Sequence, residues 1–191
     1  LLYRDQVISD HHFYEISALL PPDSLMVFNN TRVVPARMFF RKETGALIEV
    51  FCLEPASPKE YILAFAQQAS CTWYCVVGNA KRWKTGHLPL YNPGNDPKLA
   101  AIGLSASIIG QEADRYLVRF SWSAPMPFSA VMEASGKVPI PPYLKREARE
   151  SDVERYQTVY ARNRGSVAAP TAGLHFSEKI LAELQQKGIG M

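Results

Sequence analysis

The stretch YLVRFSW (116–122), preceded by Arg115, decides how the middle of the chain is read. Tyr116, Val118, Phe120 and Trp122 alternate with Arg115, Leu117, Arg119 and Ser121. Side chains on a strand point to opposite faces in turn, so this period of two predicts a strand with one buried face. Working outward, LIEVFCL (47–53), YILAFA (61–66) and TWYCVVG (72–78) read as further short β-rich runs separated by Pro, Gly, Asn or Ser. YNPGNDPKLAA (91–101) reads as a turn-rich exposed connection. Several short antiparallel strands between Ala46 and Trp122 predict a small barrel or sandwich.

Helical signals flank this region. SDHHFYEISALLPPDS (9–24) reads as a short helix capped by Ser9 or Asp10 and stopped by Pro21-Pro22. LMVF (25–28) reads as a buried strand closed by an Asn29-Asn30 turn. In TRVVPARMFFRK (31–42), Pro35 breaks an extended segment, because proline cannot donate to a ladder. FSAVMEASG (128–136) reads as a helix stopped by Gly136, and KVPIPPYLKRE (137–147) as a stiff extended loop. SDVERYQTVYA (151–161) opens with a Ser151/Glu154 capping box and predicts a helix. In FSEKILAELQQKG (176–188) Ser177 is the expected N-cap, Phe176 a staple onto Leu181, and Gly188 the residue just past the end. The predicted class is α/β (α+β): a main domain of mixed sheets and helices, 1–47 and 126–191, interrupted by an inserted antiparallel β-barrel-like module at 48–125. No initiating Met is present, and the chain stops at IGM where another strand is due, so a longer gene product is expected.

Composition excludes some classes. A chain with 47% hydrophobic and 20% charged residues has the makeup of a folded globular protein, not a disordered one. No apolar run reaches membrane-spanning length, and the first residues do not form a secretory signal. Cys52, Cys71 and Cys75, with His87 nearby, have neither disulfide-framework nor zinc-site spacing, so reduced cysteines and no metal are expected. The net charge of +3 is small, but basic residues gather in four places. These are Arg32, Arg37, Arg41 and Lys42; Lys81, Arg82 and Lys84; Lys145, Arg146 and Arg149; and Arg162 with Arg164. Four clusters raise a phosphate-binding face beside the plainer reading of solvated charge.

GSVAAPTAGLHF (165–176) fits neither a strand core nor a helix interior. Gly165 and Gly173 permit unusual backbone, while Ala168, Ala169 and Ala172 let another group approach closely. His175 stands at the threshold of a helix N-terminus, where unsatisfied N–H groups favour an anion or electron-rich ligand. Two readings stand: a tight packing junction with a hydrogen-bonded histidine, or a substrate site.

Four stretches resemble the S-adenosylmethionine:tRNA ribosyltransferase-isomerase family of queuosine biosynthesis. They are LMVFNNTRVVPARMF (25–39), GKVPIPPYLKRE (136–147), ERYQTVYA (154–161) and GSVAAPTAGLHF (165–176), in the family's order. RKETGALIEV (41–50) and TWYCVVGNAKRWKTG (72–86) resemble the lead into, and a segment of, the family's inserted domain. Family members are nearly twice as long, with an N-terminal segment and a C-terminal part not found here.

The resemblance implies transfer and isomerisation of the ribosyl part of S-adenosylmethionine onto a 7-aminomethyl-7-deazaguanine base of tRNA. Epoxyqueuosine forms, and adenine and methionine leave. It further implies a cytoplasmic enzyme whose partners are tRNA and S-adenosylmethionine. The latter is consumed as a co-substrate, with no tightly bound cofactor and no metal; oligomeric state is not implied. A base must reach the acidic C5′–H beside the sulfonium, and a donor must help adenine leave. His175 and Tyr156 are the expected catalytic residues. Arg32, Arg37, Pro142, Tyr143, Arg146, Gln157, Thr158, Thr171, Ala172 and Gly173 are the expected substrate-binding set. Tyr143, Tyr156 and Tyr160 suit base stacking, Gln157 and Thr158 a base edge, and Arg32 and Arg37 a carboxylate or phosphate. The alternatives are a non-catalytic tRNA- or RNA-binding module and a divergent S-adenosylmethionine-binding paralogue.

Overall fold

The computed structural model describes residues 1–137, 155–166 and 170–191. Its largest feature is built from β4 (Arg37–Arg41), β5 (Leu47–Ser57), β6 (Ser70–Gly78), β7 (Leu88–Pro89), β8 (Ser105–Glu112) and β9 (Arg115–Ser121). These strands form one antiparallel sheet in the order β4-β5-β6-β9-β8-β7. The sheet curls until its edges meet. Phe40 bridges Leu90, and Tyr91 N–H donates to the Phe39 carbonyl at 2.8 Å. Closure leaves little free edge, which is how a small barrel protects its backbone hydrogen bonds.

Alternation fills the interior. Met38 and Phe40 on β4, Ile48, Val50 and Cys52 on β5, Trp73 and Cys75 on β6, and Val118 and Phe120 on β9 are fully buried. A bulge after Cys52 shifts the β5 register, so Pro55 is buried although it lies an odd number of residues away. Two helices cover the barrel core: α2 (Tyr61–Ala66) and α4 (Phe128–Ser135). The Phe128 ring lies 5.3 Å from Phe120 and from Trp122, and 5.8 Å from Trp73. One hydrophobic core therefore runs from Val34 through the barrel to Met132.

The flanking elements are smaller. β1 (Leu2–Arg4) and β2 (Val7–Ser9) pair as a hairpin whose Asp5 and Gln6 both have positive φ. Such two-residue turns match the right-handed strand twist. A 3-10 turn at Phe13–Glu15 leads into α1 (Ile16–Leu19). β3 (Thr31–Val33) pairs in parallel with β10 (Asn163–Ser166). The last helix, α5 (Glu178–Gln186), buries Ile180 and Leu184 against Phe13, Ile16, Leu20, Met26 and Phe176. Lys187 Nζ donates to the Ser17 and Leu20 carbonyls at 2.7 Å each, closing the C-terminal end of α1. The whole is an α+β fold containing a nearly closed barrel, as expected from the sequence.

Several expected elements differ. YILAFA is the helix α2, not a strand: Ala64 and Phe65 face the core while Ile62 and Leu63 stand exposed. Short apolar runs do not separate the two periods, and here packing onto Trp73 decides. Within YNPGNDPKLAA, α3 (Pro97–Ile102) follows the turn. Asp96 accepts from Lys98 N–H at 2.8 Å, Pro97 stands at the first position and Gly103 closes the helix at φ +62°. The caps expected at Ser9 or Asp10 are replaced by His12, whose N–H donates to Glu15 at 2.9 Å.

LMVF is not a buried strand. Only Leu25 bridges, in parallel with Gly190, and Val27 is 90% exposed, since no second neighbour covers that face among the described residues. The helix expected over 151–161 lies partly outside the described residues, and from Tyr156 to Ala161 the chain is not helical. The proline loop also lies outside them, apart from Lys137. Ser177 caps α5, its hydroxyl accepting from Ile180 N–H at 3.3 Å, and Gly188 has φ +80°, as expected.

Candidate functional site

Two segments far apart in sequence are fastened side by side. The Gln157 side-chain amide accepts from Val33 N–H at 2.9 Å and donates to the Val33 carbonyl at 2.8 Å. It thus acts as one residue of an extra strand beside β3. Arg162 N–H donates to the Asn30 carbonyl at 2.8 Å, and β10 continues the pairing along Thr31–Val33. Asn29 holds the turn before β3, its side-chain oxygen accepting from Thr31 N–H at 3.0 Å and from the Thr31 hydroxyl at 2.6 Å.

The described end of the small-residue stretch packs onto this seam. Thr171–His175 forms a 3-10 turn ending at Phe176, directly before α5. A Cβ at Gly173 would overlap the Tyr160 hydroxyl and press on Thr158 Cγ2, so only glycine permits this approach. Burial raises the Tyr160 pKa, an effect the Thr158 hydroxyl partly offsets, and the phenol remains a neutral donor near pH 7. Aromatic rings frame the place. Phe28 lies 4.7 Å from Tyr160 and 5.1 Å from Phe176, and Phe13 lies 4.8 Å from Phe176 and 5.3 Å from His175. Phe176 meets Phe13 and Phe28 edge-on while packing against the cluster of Ile180, Leu184 and Ile189.

The expected site residues divide accordingly. His175, Thr171 and Ala172 are exposed at the α5 entrance, Gly173 is buried there, and Thr158 is buried beside it. Tyr156 is half-buried in the adjoining turn, and Arg32 is exposed on β3. Gln157 is held by Val33 on both its amide oxygen and its amide nitrogen, so its amide fastens the seam. Arg37 stands on the barrel strand β4, 3.0 Å from Glu49 and above the Phe51 ring. Its backbone exchanges hydrogen bonds with Lys137, where the proline loop begins. Pro142, Tyr143 and Arg146 lie outside the described residues.

Sequence reasoning missed Phe13 and Phe28 as the frame of the site. Both looked like ordinary apolar positions, and only their ring contacts reveal the role. Among the described residues, no group of three or more His, Cys, Asp or Glu is placed to hold a metal ion. No helix among them is long and apolar enough to cross a membrane.

A family model described as "Queuosine biosynthesis protein" matches residues 1–191. Among curated relatives, a protein of Trichlorobacter lovleyi is 41% identical over 182 residues, covering 95% of this chain and 47% of that protein. One of Acaryochloris marina is 38% identical over 194 residues, covering 99% and 47%. One of Xanthomonas oryzae pv. oryzae is 36% identical over 184 residues, covering 96% and 45%. Each bears the name S-adenosylmethionine:tRNA ribosyltransferase-isomerase. The chain spans about half the length of these relatives.

Proposed function

Since the chain belongs to the queuosine biosynthesis protein family, we propose that the full-length protein transfers and isomerises the ribosyl part of S-adenosylmethionine onto a 7-aminomethyl-7-deazaguanine base of tRNA. S-adenosylmethionine is spent as a co-substrate and no cofactor is tightly bound; the reaction belongs in the cytoplasm, where tRNA is modified. The observation that carries this reading is the seam itself. Three of the four stretches that bear the family resemblance, 25–39, 154–161 and 165–176, meet through Gln157–Val33, Phe28–Tyr160 and Gly173–Tyr160.

The chemistry asks for a proton acceptor near the sulfonium-activated C5′–H and a donor near departing adenine. His175, exposed and backed by Phe13, serves as the acid or base. Tyr156 is the second group for proton transfer, and Tyr160 supplies a neutral hydroxyl and an aromatic face. The exposed Thr171 and Ala172 line the approach to His175, Gly173 holds their turn against Tyr160, and Arg32 and Arg37 offer guanidinium groups to carboxylate or phosphate. Pro142, Tyr143 and Arg146 complete the proposed binding set. In the proposed division an inserted module at 48–125 sits within a main domain of 1–47 and 126–191, with β4 and α4 as junctions packed into the barrel core.

The test is incubation of the full-length protein with S-adenosylmethionine and tRNA carrying the modified base, following adenine release and nucleoside mass. Release of adenine with conversion of the base is expected. Binding of tRNA without adenine release would instead identify a non-catalytic RNA-binding protein.

A further inference from the structure

Two of the four basic clusters in the sequence become one surface. Lys42 Nζ donates to the Arg82 carbonyl at 2.8 Å, joining the β4–β5 turn to the 3-10 turn at Ala80–Arg82. Lys42 also lines two adjoining grooves, of about 690 and 540 Å³. Arg41 and Tyr91 line the first, and Arg82 and Gly45 the second. Among the described residues, none of Arg41, Lys42, Lys81, Arg82 and Lys84 has a carboxylate within ion-pair distance. Glu43, in the first groove, is its single acidic lining residue.

The surface continues along β4. Met38 and Phe40 point into the barrel, so Arg37, Phe39 and Arg41 share its outer face. Cations stack on aromatic rings along this face: Arg37 over Phe51 at 5.8 Å, Lys137 over Phe39 at 5.4 Å and Arg41 over Tyr91 at 6.0 Å. At roughly 3.4 Å per residue, Arg37 to Arg41 spans about 14 Å. The row leads from Lys137, where the proline loop begins, to the grooved rim.

We propose that this face is a docking track for the phosphate backbone of the tRNA substrate, distinct from the seam that holds the reacting groups. The proposal rests on the tRNA reading of the function. Cations interleaved with aromatic rings are the arrangement that binds a nucleic-acid backbone, since cations neutralise phosphates and rings accept bases or sugars. Of the cations named here, Arg37 alone is paired with a carboxylate, Glu49, among the described residues. An acidic protein partner would meet the same charges but would not need rings at each step.

The experiment uses the full-length protein and two triple variants, Lys81→Glu/Arg82→Glu/Lys84→Glu and the milder Lys81→Gln/Arg82→Gln/Lys84→Gln. These positions are exposed, and circular dichroism checks their fold. Affinity for tRNA is measured across a salt series, with adenine release at saturating tRNA and S-adenosylmethionine binding as controls. Charge reversal is expected to weaken tRNA binding tenfold or more at low salt, with the glutamine variant intermediate. The slope of log affinity against log salt should shrink by about 0.7–0.9 for each phosphate that is no longer neutralised. Saturated turnover and S-adenosylmethionine affinity should not change. Unaltered affinity and slope in the folded charge-reversed protein, with the parent active, would overturn the track and leave the function standing. A parent that binds tRNA through this face without turnover would leave the track standing and sink the catalytic reading. A parent that does not bind tRNA would remove both.

Discussion

Gln157 lies along Val33 as a substitute strand residue, its amide both accepting from and donating to the Val33 backbone. Val33 is 4% exposed, so water cannot replace those bonds. Gln157→Glu keeps the acceptor but, ionised near neutral pH, loses the donor to the Val33 carbonyl. An unsatisfied buried backbone group costs about 1–3 kcal/mol. Denaturant unfolding should show a loss of about 2 kcal/mol at pH 7, partly regained at pH 4 as the new carboxyl protonates. Wild-type stability at both pH values would show that the Val33 bonds contribute nothing.

The Gly173–Tyr160 contact makes a paired prediction. Gly173→Ala places a methyl group on the Tyr160 hydroxyl, and overpacking of this kind costs about 1–3 kcal/mol. Tyr160→Phe removes the oxygen that is struck. A double-mutant cycle should therefore show positive coupling, with the double variant more stable than the sum of the singles predicts. Strict additivity would mean that the turn relaxes elsewhere.

His175→Ala in the full-length protein should lower kcat by a factor of roughly 10² to 10⁴ while leaving the KM for S-adenosylmethionine nearly unchanged. His175 is exposed, so its truncation leaves the core intact, and circular dichroism checks this. A raised KM with intact kcat would reassign the residue to substrate holding. Unchanged kinetics would return it to a packing role beside Phe13.

Cys52 and Cys71 predict an alkaline weakness. Burial raises both thiol pKa values above the ordinary value near 8.5. In the unfolded chain each thiol loses its proton as pH passes that value, while the folded chain keeps it. Stability is thus fully present below about pH 8.5 and falls above it, by up to about 1.4 kcal/mol per pH unit for each cysteine. Cys71→Ala should flatten this decline between pH 9 and 10.5 in urea titrations. An identical slope in the variant would show that the thiol titrates alike in both states.

Local chemistry is legible in this sequence wherever neighbouring residues settle it. The alternation in Arg115–Trp122 announced β9, Ser177 and Gly188 marked the ends of α5, and Gly136 stopped α4. Asp96-Pro97 and Gly103 marked α3 just as clearly but stood behind a dense run of turn residues. YILAFA was ambiguous for a different reason: six apolar residues satisfy either period, and burial of Ala64 and Phe65 onto the barrel chooses the helix.

By itself, the sequence determined the mixed class, the β-rich centre, the stop of α4, both ends of α5 and the family, because these rest on short-range spacing and on whole-length residue identity. Only the tertiary structure decided that the sheet closes through Phe40 and Leu90, and that the Gln157 amide pairs with the Val33 backbone. It alone placed Phe13, Phe28 and Tyr160 around the His175 turn and joined the Arg41 and Arg82 clusters through Lys42. Each of those pairings spans tens of residues or more. Its partner is chosen by burial and backbone satisfaction across the whole fold, which no local pattern encodes.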